Sequence, residues 1–208
     1  REAEARLAQA SREAARRRDL FQRQLIAREA MEQAAQAETI ARSAAEHLVS
    51  QGIADRDRLA IMGGSAGGFT TLLALTTDTD FWSAGIALYG VGDLYELMIG
   101  SHRFEKRYQN TLVGPLPEAA ARWLARSPLS QAKKVKAPLL MFHGLKDKAV
   151  PAQQSLDFAA AAKRAGAIAE VVTYDDEGHG FRQEKNRKDQ LERSLAFLDK
   201  YLRYKQKP

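Results

Sequence analysis

The sequence contains no cysteine, which excludes disulfide bonds and thiolate metal ligands. It also contains no apolar run of membrane-spanning length, and residues 1–4 begin no stretch of the signal-peptide type. We therefore expect no membrane partner, and the lack of cysteine favours the cytoplasm as the compartment. No pair of histidines or carboxylates has the spacing of metal ligands, so we expect neither a metal nor another cofactor.

Glycine and proline are both missing from residues 1–50, where alanine, arginine, glutamate and glutamine dominate. Because glycine and proline are the strongest helix breakers, this composition predicts one long helix or two in series. Small residues recur there at alternating spacings of three and four, which predicts a helix face suited to close packing. The stripe consists of Ala27, Ala30, Ala34, Ala37, Ala41, Ala44 and Leu48. We assign residues 1–38 to a helical extension and residues 39–208 to the main domain.

The overall composition is that of one globular domain. The chain has 208 residues, of which 45% are hydrophobic, and this is enough to bury a substantial core. The formal net charge is +6, with many of the basic residues near the C-terminus. Aromatic residues do not interleave with these cations, so solvated helix faces are favoured over a nucleic-acid surface. We expect no nucleic-acid partner.

A serine lies in the glycine-rich segment GGSAGG, at residues 63–68, between a short apolar run and a helix-like segment. This pattern predicts a nucleophile elbow, a sharp turn from strand to helix that exposes the hydroxyl of Ser65. Gly63, Gly67 and Gly68 are predicted to leave room for the turn and for close helix packing. The N–H of Ala66, at the start of the helix, is predicted to face a developing oxyanion.

Two further polar residues follow strand-like runs later in the chain. Asp147 comes shortly after the apolar run 138–142, and His179 follows the run 169–174 on a loop where glycines flank it. The order Ser65, Asp147, His179 along the chain is the one expected of an α/β-hydrolase. A histidine flanked by glycines on a loop has no core-packing role, which favours a chemical one. His143, at the end of a buried run, is interpreted as structural.

The chain alternates strand-like and helix-like segments, which predicts an α/β fold with a parallel sheet flanked by helices. The predicted strands are 58–62, 84–88, 138–143 and 169–174, and the predicted helices are roughly 66–77, 118–126, 152–165 and 186–204. The strand that precedes Ser65 then lies at an edge of the sheet. Because an uncovered apolar edge favours aggregation, we expect the N-terminal helix, a second copy of the chain or upstream sequence to cover it.

The three motifs together resemble the prolyl oligopeptidase family of serine peptidases, in its dipeptidyl-peptidase and acylaminoacyl-peptidase-like branch. They are GGSAGGFTTL at 63–72, PLLMFHGLKDKAVP at 138–151 and DEGHGF at 176–181. The likeness runs from about residue 39 to the C-terminus. It implies the C-terminal part of an α/β-hydrolase catalytic domain, truncated on its N-terminal side.

The resemblance also implies roles for individual residues. Ser65 would be the nucleophile, His179 the general base and acid, and Asp147 the residue that orients the imidazole. Val150 matches a family position in the pocket for the residue that precedes the scissile bond. A looser alignment adds Val91 and Leu94 to that pocket. The family's second oxyanion donor is a tyrosine in the part that this chain lacks, and the segment between residues 93 and 127 would roof the site.

Three functions are compatible with these residues. The first is a serine peptidase that cleaves peptide bonds by acyl transfer, and the second is an esterase acting on small esters with the same three residues. The third is an inactive, truncated hydrolase whose helical extension mediates assembly. Homo-oligomers would then form through the N-terminal helix or the exposed sheet edge.

Overall fold

The computed structural model describes residues 36–100 and 113–202, and the structural statements below concern these residues. They form an alternating series of helices and parallel strands. The elements are α1 (36–50), β1 (Ala60–Gly64), α2 (Ala66–Thr77), β2 (Ala84–Leu88), α3 (Leu94–Gly100), α4 (Ala120–Arg126), β3 (Leu139–Gly144), α5 (Gln153–Arg164), β4 (Ala169–Tyr174) and α6 (Glu184–Leu202). Two short 3-10 helices, Arg56–Arg58 and Pro128–Lys134, precede β1 and β3.

The four strands form one parallel sheet in the order β1-β2-β3-β4. Consecutive strands are therefore neighbours, and each connection between them passes through at least one helix. Because the strands are parallel, their carboxyl ends meet at one edge of the sheet, where residues that follow different strands can come together. The predicted fold class, a parallel sheet flanked by helices, is confirmed.

The core lies on both faces of the sheet, and the alternation along β3 shows how it divides. Leu139 and Met141 belong to a cluster with residues of α2 and α5, while Leu140 and Phe142 belong to a second cluster with Phe197 of α6. Every residue of β2 and β3 is buried. Strands that are covered on both faces have continuous apolar sequences, which is why β2 and β3 could be predicted.

Strand β1 lies at the edge of the sheet, as predicted, and among the described strands it pairs only with β2. Helix α1 packs against the cluster that contains Ile61, so it covers a face of the sheet beside this edge. Met62, on the opposite side of β1, is 53% exposed. Coverage of the open edge by a second copy or by upstream sequence stays a prediction.

The packed face of α1 differs from the predicted stripe. Ala41, Ala45 and Val49 contact the core, whereas Ala44 is exposed and Leu48 is 41% exposed. Small and apolar residues recur at spacings of three and four on two neighbouring faces of α1. The face that carries Val49 is the one that packs against the core. The members of the stripe before residue 36 lie outside the described residues, as does most of the predicted extension.

Within the described part of the chain, the observed bounds of the predicted helices and strands differ from the predicted bounds by at most two residues. The predicted strand 58–62 begins only at Ala60, because Asp55 caps the preceding 3-10 helix by accepting a hydrogen bond from the Asp57 N–H at 3.0 Å. Part of the predicted roof, residues 101–112, lies outside the described residues. Within the described ranges, none of the helices combines the length and the apolar character that a bilayer crossing demands.

Candidate active site

Ser65 stands alone between β1 and α2, and its backbone is strained. Its φ is 54° and its ψ is −117°, a conformation that residues other than glycine rarely adopt. Two hydrogen bonds hold the turn: the Ser65 N–H donates to the Leu88 carbonyl at 3.0 Å, and the Ser65 carbonyl accepts from the Phe69 N–H at 2.9 Å. The sharp turn lifts the hydroxyl out of the sheet, as the sequence pattern predicts.

Two of the three glycines around the elbow are required by close contacts. A Cβ at Gly63 would lie 2.4 Å from the Gly67 carbonyl oxygen, and one at Gly68 would lie 2.6 Å from the Gly90 Cα. A Cβ at Gly67 would meet no described atom within 4 Å, so the predicted need for room at that position was wrong. The Gly67 carbonyl makes the tight approach, and the room is therefore needed at Gly63.

Asp147 lies on the loop after β3 with its side chain fully buried and every oxygen in contact with a donor. Its Oδ1 accepts hydrogen bonds from the N–H groups of Ala149 and Val150, both at 2.9 Å. Its Oδ2 accepts from His179 Nδ1 at 2.8 Å and lies 3.3 Å from His143 Nε2. This carboxylate is fixed in position and has no oxygen left for water.

His179 connects the loop after β4 to the other two residues. Its Nδ1 is 2.8 Å from Asp147 Oδ2, and its Nε2 is 2.8 Å from Ser65 Oγ. An ionised carboxylate only accepts hydrogen bonds, so Nδ1 carries the proton and Nε2 of the neutral ring accepts from the serine hydroxyl. The His179 side chain is 31% exposed, so the ring is partly accessible from solvent.

The surroundings of Asp147 favour its charged form. Burial by itself would raise the pKa of Asp147, but hydrogen bonds from His143, the Val150 amide and His179, together with the charge of His179, lower it to about 2. The carboxylate is therefore ionised throughout the neutral range. It can stabilise positive charge on the imidazole while holding the ring in one orientation.

The lowered pKa of Asp147 predicts a loss of stability in acid. A folded-state pKa of about 2 against 3.8 in the unfolded chain stabilises the fold by about 2 kcal/mol above pH 4, and this is lost as the pH falls towards 2. Urea unfolding at pH 5 and at pH 2 measures the effect. We expect the wild type to lose about 2 kcal/mol more than Asp147→Asn does between these pH values. Equal losses in the two proteins would contradict this account.

The sequence predicts the Ala66 amide as an oxyanion donor, and Ala66 is the first residue of α2. The first N–H groups of a helix have no acceptor within the helix, and the helix dipole favours negative charge beside them. Ala66 is also exposed, so a substrate carbonyl can approach it. Its role as an oxyanion donor stays a prediction.

The three predicted pocket residues, Val91, Leu94 and Val150, are brought together in one buried apolar cluster. Phe69 and Trp123 belong to the same cluster. Phe69 donates its N–H to the Ser65 carbonyl, which attaches the cluster to the elbow. The cluster is also connected to the acid, because the Val150 N–H donates to Asp147. The three side chains are buried within this cluster, and their role as a substrate pocket stays a prediction.

His143 is fully buried, in agreement with its structural interpretation, but it also supports the acid. Its Nδ1 accepts from the Ser155 hydroxyl at 2.7 Å, and its Nε2 donates to the Val150 carbonyl at 2.9 Å. The same Nε2 lies 3.3 Å from Asp147 Oδ2. The sequence analysis did not anticipate this contact, although the spacing of four residues within one strand-loop motif was a signal for it.

Glu177 is a second residue that the sequence analysis missed. It is buried, and its carboxylate accepts hydrogen bonds from the N–H groups of Arg182 and Gln183 and from the Asn186 side chain, at 2.8 to 3.0 Å. Its carbonyl accepts from the Lys146 N–H at 2.9 Å. Glu177 therefore closes the loop around His179 and ties it to the loop of Asp147. Its place inside the motif DEGHGF was the available signal.

A metal centre has no ligand set in the described part of the chain. Across residues 36–100 and 113–202, no three His, Cys, Asp or Glu side chains are grouped so that they could hold a metal ion.

The chain is similar to known proteins in both sequence and fold. The sequence pattern of the prolyl oligopeptidase family matches residues 27–205. Dipeptidyl aminopeptidase BIII of Pseudoxanthomonas mexicana is 33% identical over 150 residues, which cover 70% of this chain and 22% of that protein. A puromycin-hydrolyzing peptidase of Mycobacterium tuberculosis is 41% identical, with a TM-score of 0.73 over 78% of this chain and 24% of that one. An acylaminoacyl peptidase of Pyrococcus horikoshii is 29% identical, with a TM-score of 0.70 over 78% of this chain and 27% of that one.

The chain spans only between 22% and 27% of the length of these relatives. Within that span the resemblance predicted from the three motifs is confirmed, and so is the α/β-hydrolase type of fold. The family match begins at residue 27. The predicted boundary between residues 38 and 39, which falls inside α1 and inside the match, stays a prediction.

Proposed function

The chain belongs to the prolyl oligopeptidase family, and from this premise we propose that it is a serine peptidase that cleaves peptide bonds by acyl transfer to Ser65. The observation that carries the proposal is the pair of 2.8 Å contacts that joins Ser65 Oγ to His179 Nε2 and His179 Nδ1 to Asp147 Oδ2. A serine, an imidazole and a carboxylate in this order form the proton-transfer chain that activates an alcohol.

In the proposed reaction, His179 Nε2 takes the hydroxyl proton as Ser65 Oγ attacks the substrate carbonyl. The carbonyl oxygen becomes negative, and the Ala66 N–H donates a hydrogen bond to it. His179 then gives its proton to the leaving amine, and the carbon–nitrogen bond breaks to leave an acyl-serine. Water attacks the acyl group with His179 again as the base, the bond between the acyl group and Ser65 Oγ breaks as His179 returns the proton to Oγ, and the acid product leaves. Asp147 remains ionised throughout.

Three residues of the buried cluster suggest the side chain that this site prefers. Val91, Leu94 and Val150 are apolar and tied to the elbow and to the acid, as described above. We propose that they accept an apolar residue immediately before the scissile bond. Burial of such a side chain against aliphatic groups favours binding by about 25 cal/mol for each Å² of apolar surface removed from water.

Esterase activity is the second candidate function, and it is favoured because we assign only one oxyanion donor. The Ala66 N–H is the one donor that we assign, and loss of one such donor costs about 10²–10³ in turnover in other serine hydrolases. An activated ester has a better leaving group than a peptide and tolerates this loss better. We propose that the chain by itself hydrolyses p-nitrophenyl esters faster than it hydrolyses peptide amides.

Covalent labelling with a fluorophosphonate tests the proposed function. We expect the wild-type chain to be labelled, with the adduct on Ser65 in a mass-spectrometric peptide map, because the probe requires an activated serine. Ser65→Ala should not be labelled. Ser50→Ala, which removes an exposed hydroxyl from the end of α1, is the matched control and should be labelled like the wild type. A wild-type chain that is folded by circular dichroism but unlabelled would rule out the enzyme.

A further inference from the structure

Among the described residues other than glycine, Ser65 and Tyr89 are the two that have a positive φ. Its φ is 39°. A bulky side chain in this region is a steric outlier, and such outliers cluster at functional sites. Asparagine or glycine would adopt the same backbone at lower cost. A strained backbone persists only where other contacts compensate for it, and the Tyr89 ring makes contacts of this kind.

Tyr89 lies directly after β2, at the carboxyl end of the sheet, where Ser65, Asp147 and His179 also lie. Its N–H donates to the Phe142 carbonyl at 2.7 Å, which fixes its backbone to β3. The residue before it, Leu88, accepts the hydrogen bond from the Ser65 N–H that holds the elbow. The end of β2 therefore supports the serine through its backbone and directs a tyrosine towards the same region.

The Tyr89 ring contacts the catalytic histidine. Its centroid is 5.0 Å from that of His179 with the planes at 65°, an edge-to-face arrangement. A second edge-to-face contact joins Tyr89 to Phe181 at 5.3 Å, and Phe181 in turn meets Tyr174 at 5.0 Å. Aromatic pairs of this geometry have a preferred orientation as well as a buried surface. The series of rings restrains the imidazole from the side of β2.

The same side chain also reaches the segment before the serine. A Cβ at Gly64 would lie 2.9 Å from the Tyr89 hydroxyl oxygen, so the tyrosine fills the space next to the last residue of β1. One ring is thus in contact with the histidine and with the residue that leads into the nucleophile. Tyr89 therefore packs beside the pair formed by Ser65 and His179 and contacts the imidazole from one side.

We infer that Tyr89 is a positioning residue, which holds the His179 ring at the distance and angle needed for proton transfer with Ser65. The inference rests on the proposed function, because it assigns His179 the role of base. Asp147 fixes the imidazole through one nitrogen, which leaves rotation about that hydrogen bond to be restrained. The Tyr89 ring supplies this restraint, and the strained backbone is tolerated because of it.

Tyr89→Asn is the main test, because asparagine accepts a positive φ and removes the ring. With a p-nitrophenyl ester as substrate, we expect kcat to fall by about 10- to 100-fold while KM changes little, since misplacement of a reacting group has effects of this size. Tyr89→Phe retains the ring and should restore most of the activity. Tyr201→Leu, which removes a ring paired with Phe197 at 4.8 Å on α6, is the matched control for loss of an aromatic pair.

A proton NMR measurement separates this inference from the proposed function. The His179 Nδ1 proton, hydrogen-bonded to Asp147, should give a low-field signal that is absent from His179→Gln. We expect the signal in the wild type, Tyr89→Phe and Tyr201→Leu, and its loss or broadening in Tyr89→Asn. An inactive wild type would contradict the proposed function. The signal of the His179 Nδ1 proton would still test whether Tyr89 restrains the imidazole. A folded Tyr89→Asn, or Tyr89→Gly if the first variant does not fold, with an unchanged signal would overturn the inference.

Discussion

Replacement of His179 with alanine is expected to lower kcat for peptide or ester hydrolysis by about 10⁶, the size of effect seen when a serine hydrolase loses its base. The reason is the 2.8 Å contact between His179 Nε2 and Ser65 Oγ, through which the proton leaves the attacking hydroxyl. Without the imidazole, the serine remains a neutral alcohol and a poor nucleophile. Steady-state kinetics with a p-nitrophenyl ester, supported by the rate of fluorophosphonate labelling, measures the loss.

His47→Ala is the matched control for this substitution. His47 is exposed on α1, outside the three motifs, and its removal should leave kcat within a few-fold of the wild type. The melting temperature of His179→Ala should fall, because the fully buried Asp147 carboxylate loses the hydrogen bond from His179, and circular dichroism at the assay temperature checks that the variant is folded. A His179→Ala variant that retains wild-type turnover would remove the histidine from the mechanism.

Asp147→Asn is expected to lower kcat by about 10⁴, the effect measured for the same change in a serine protease. The carboxylate accepts the Nδ1 proton of His179 at 2.8 Å, which fixes the tautomer that leaves Nε2 free to receive the serine proton. An asparagine can turn its NH₂ group towards Nδ1 and so favour the opposite tautomer. The substitution retains the shape of the side chain, so the loss is in kcat more than in KM.

The matched control is Asp80→Asn, which removes a carboxylate whose side chain is 80% exposed and paired with Lys136 at the surface. An exposed ion pair of this kind contributes little to stability, and its loss should not affect turnover. The measurement is kcat and KM for each variant at neutral pH, where Asp147 is ionised in the wild type. If Asp147→Asn and Asp80→Asn have equal activity, the carboxylate does not orient the imidazole.

Much of the fold could be predicted because the strands inside the sheet are buried on both faces. The segments that became β2, β3 and β4 are short apolar runs followed by turn residues, and each was located to within one residue of its observed bounds. The parallel arrangement follows from the alternation with helices. It explains why Ser65, Asp147 and His179, far apart in the chain, were expected at one edge of the sheet.

The residues that support the site were harder to predict, since their roles depend on tertiary contacts. Nothing in the segment around Tyr89 indicates a positive φ, because tyrosine is not a residue that favours it. Gly67 shows the opposite case, in which a glycine of the motif has open space where its side chain would be. For α1, local periodicity left two neighbouring faces open, and the contact of Val49 with the core selected one of them.

The positions of β1 and β4, at the two ends of the strand order, determine where local opening of the sheet would reach the proposed site. Among the described strands, β1 has a ladder of hydrogen bonds on one side only, and the nucleophile follows directly after its last residue. Outer strands are the part of a sheet that frays most easily. His179 follows β4, which lies at the other side of the sheet and, among the described strands, pairs only with β3, whereas Asp147 follows the inner strand β3. The three residues proposed for catalysis are thus divided between the two outer strands and one inner strand, and opening of either outer strand would separate Ser65 from His179.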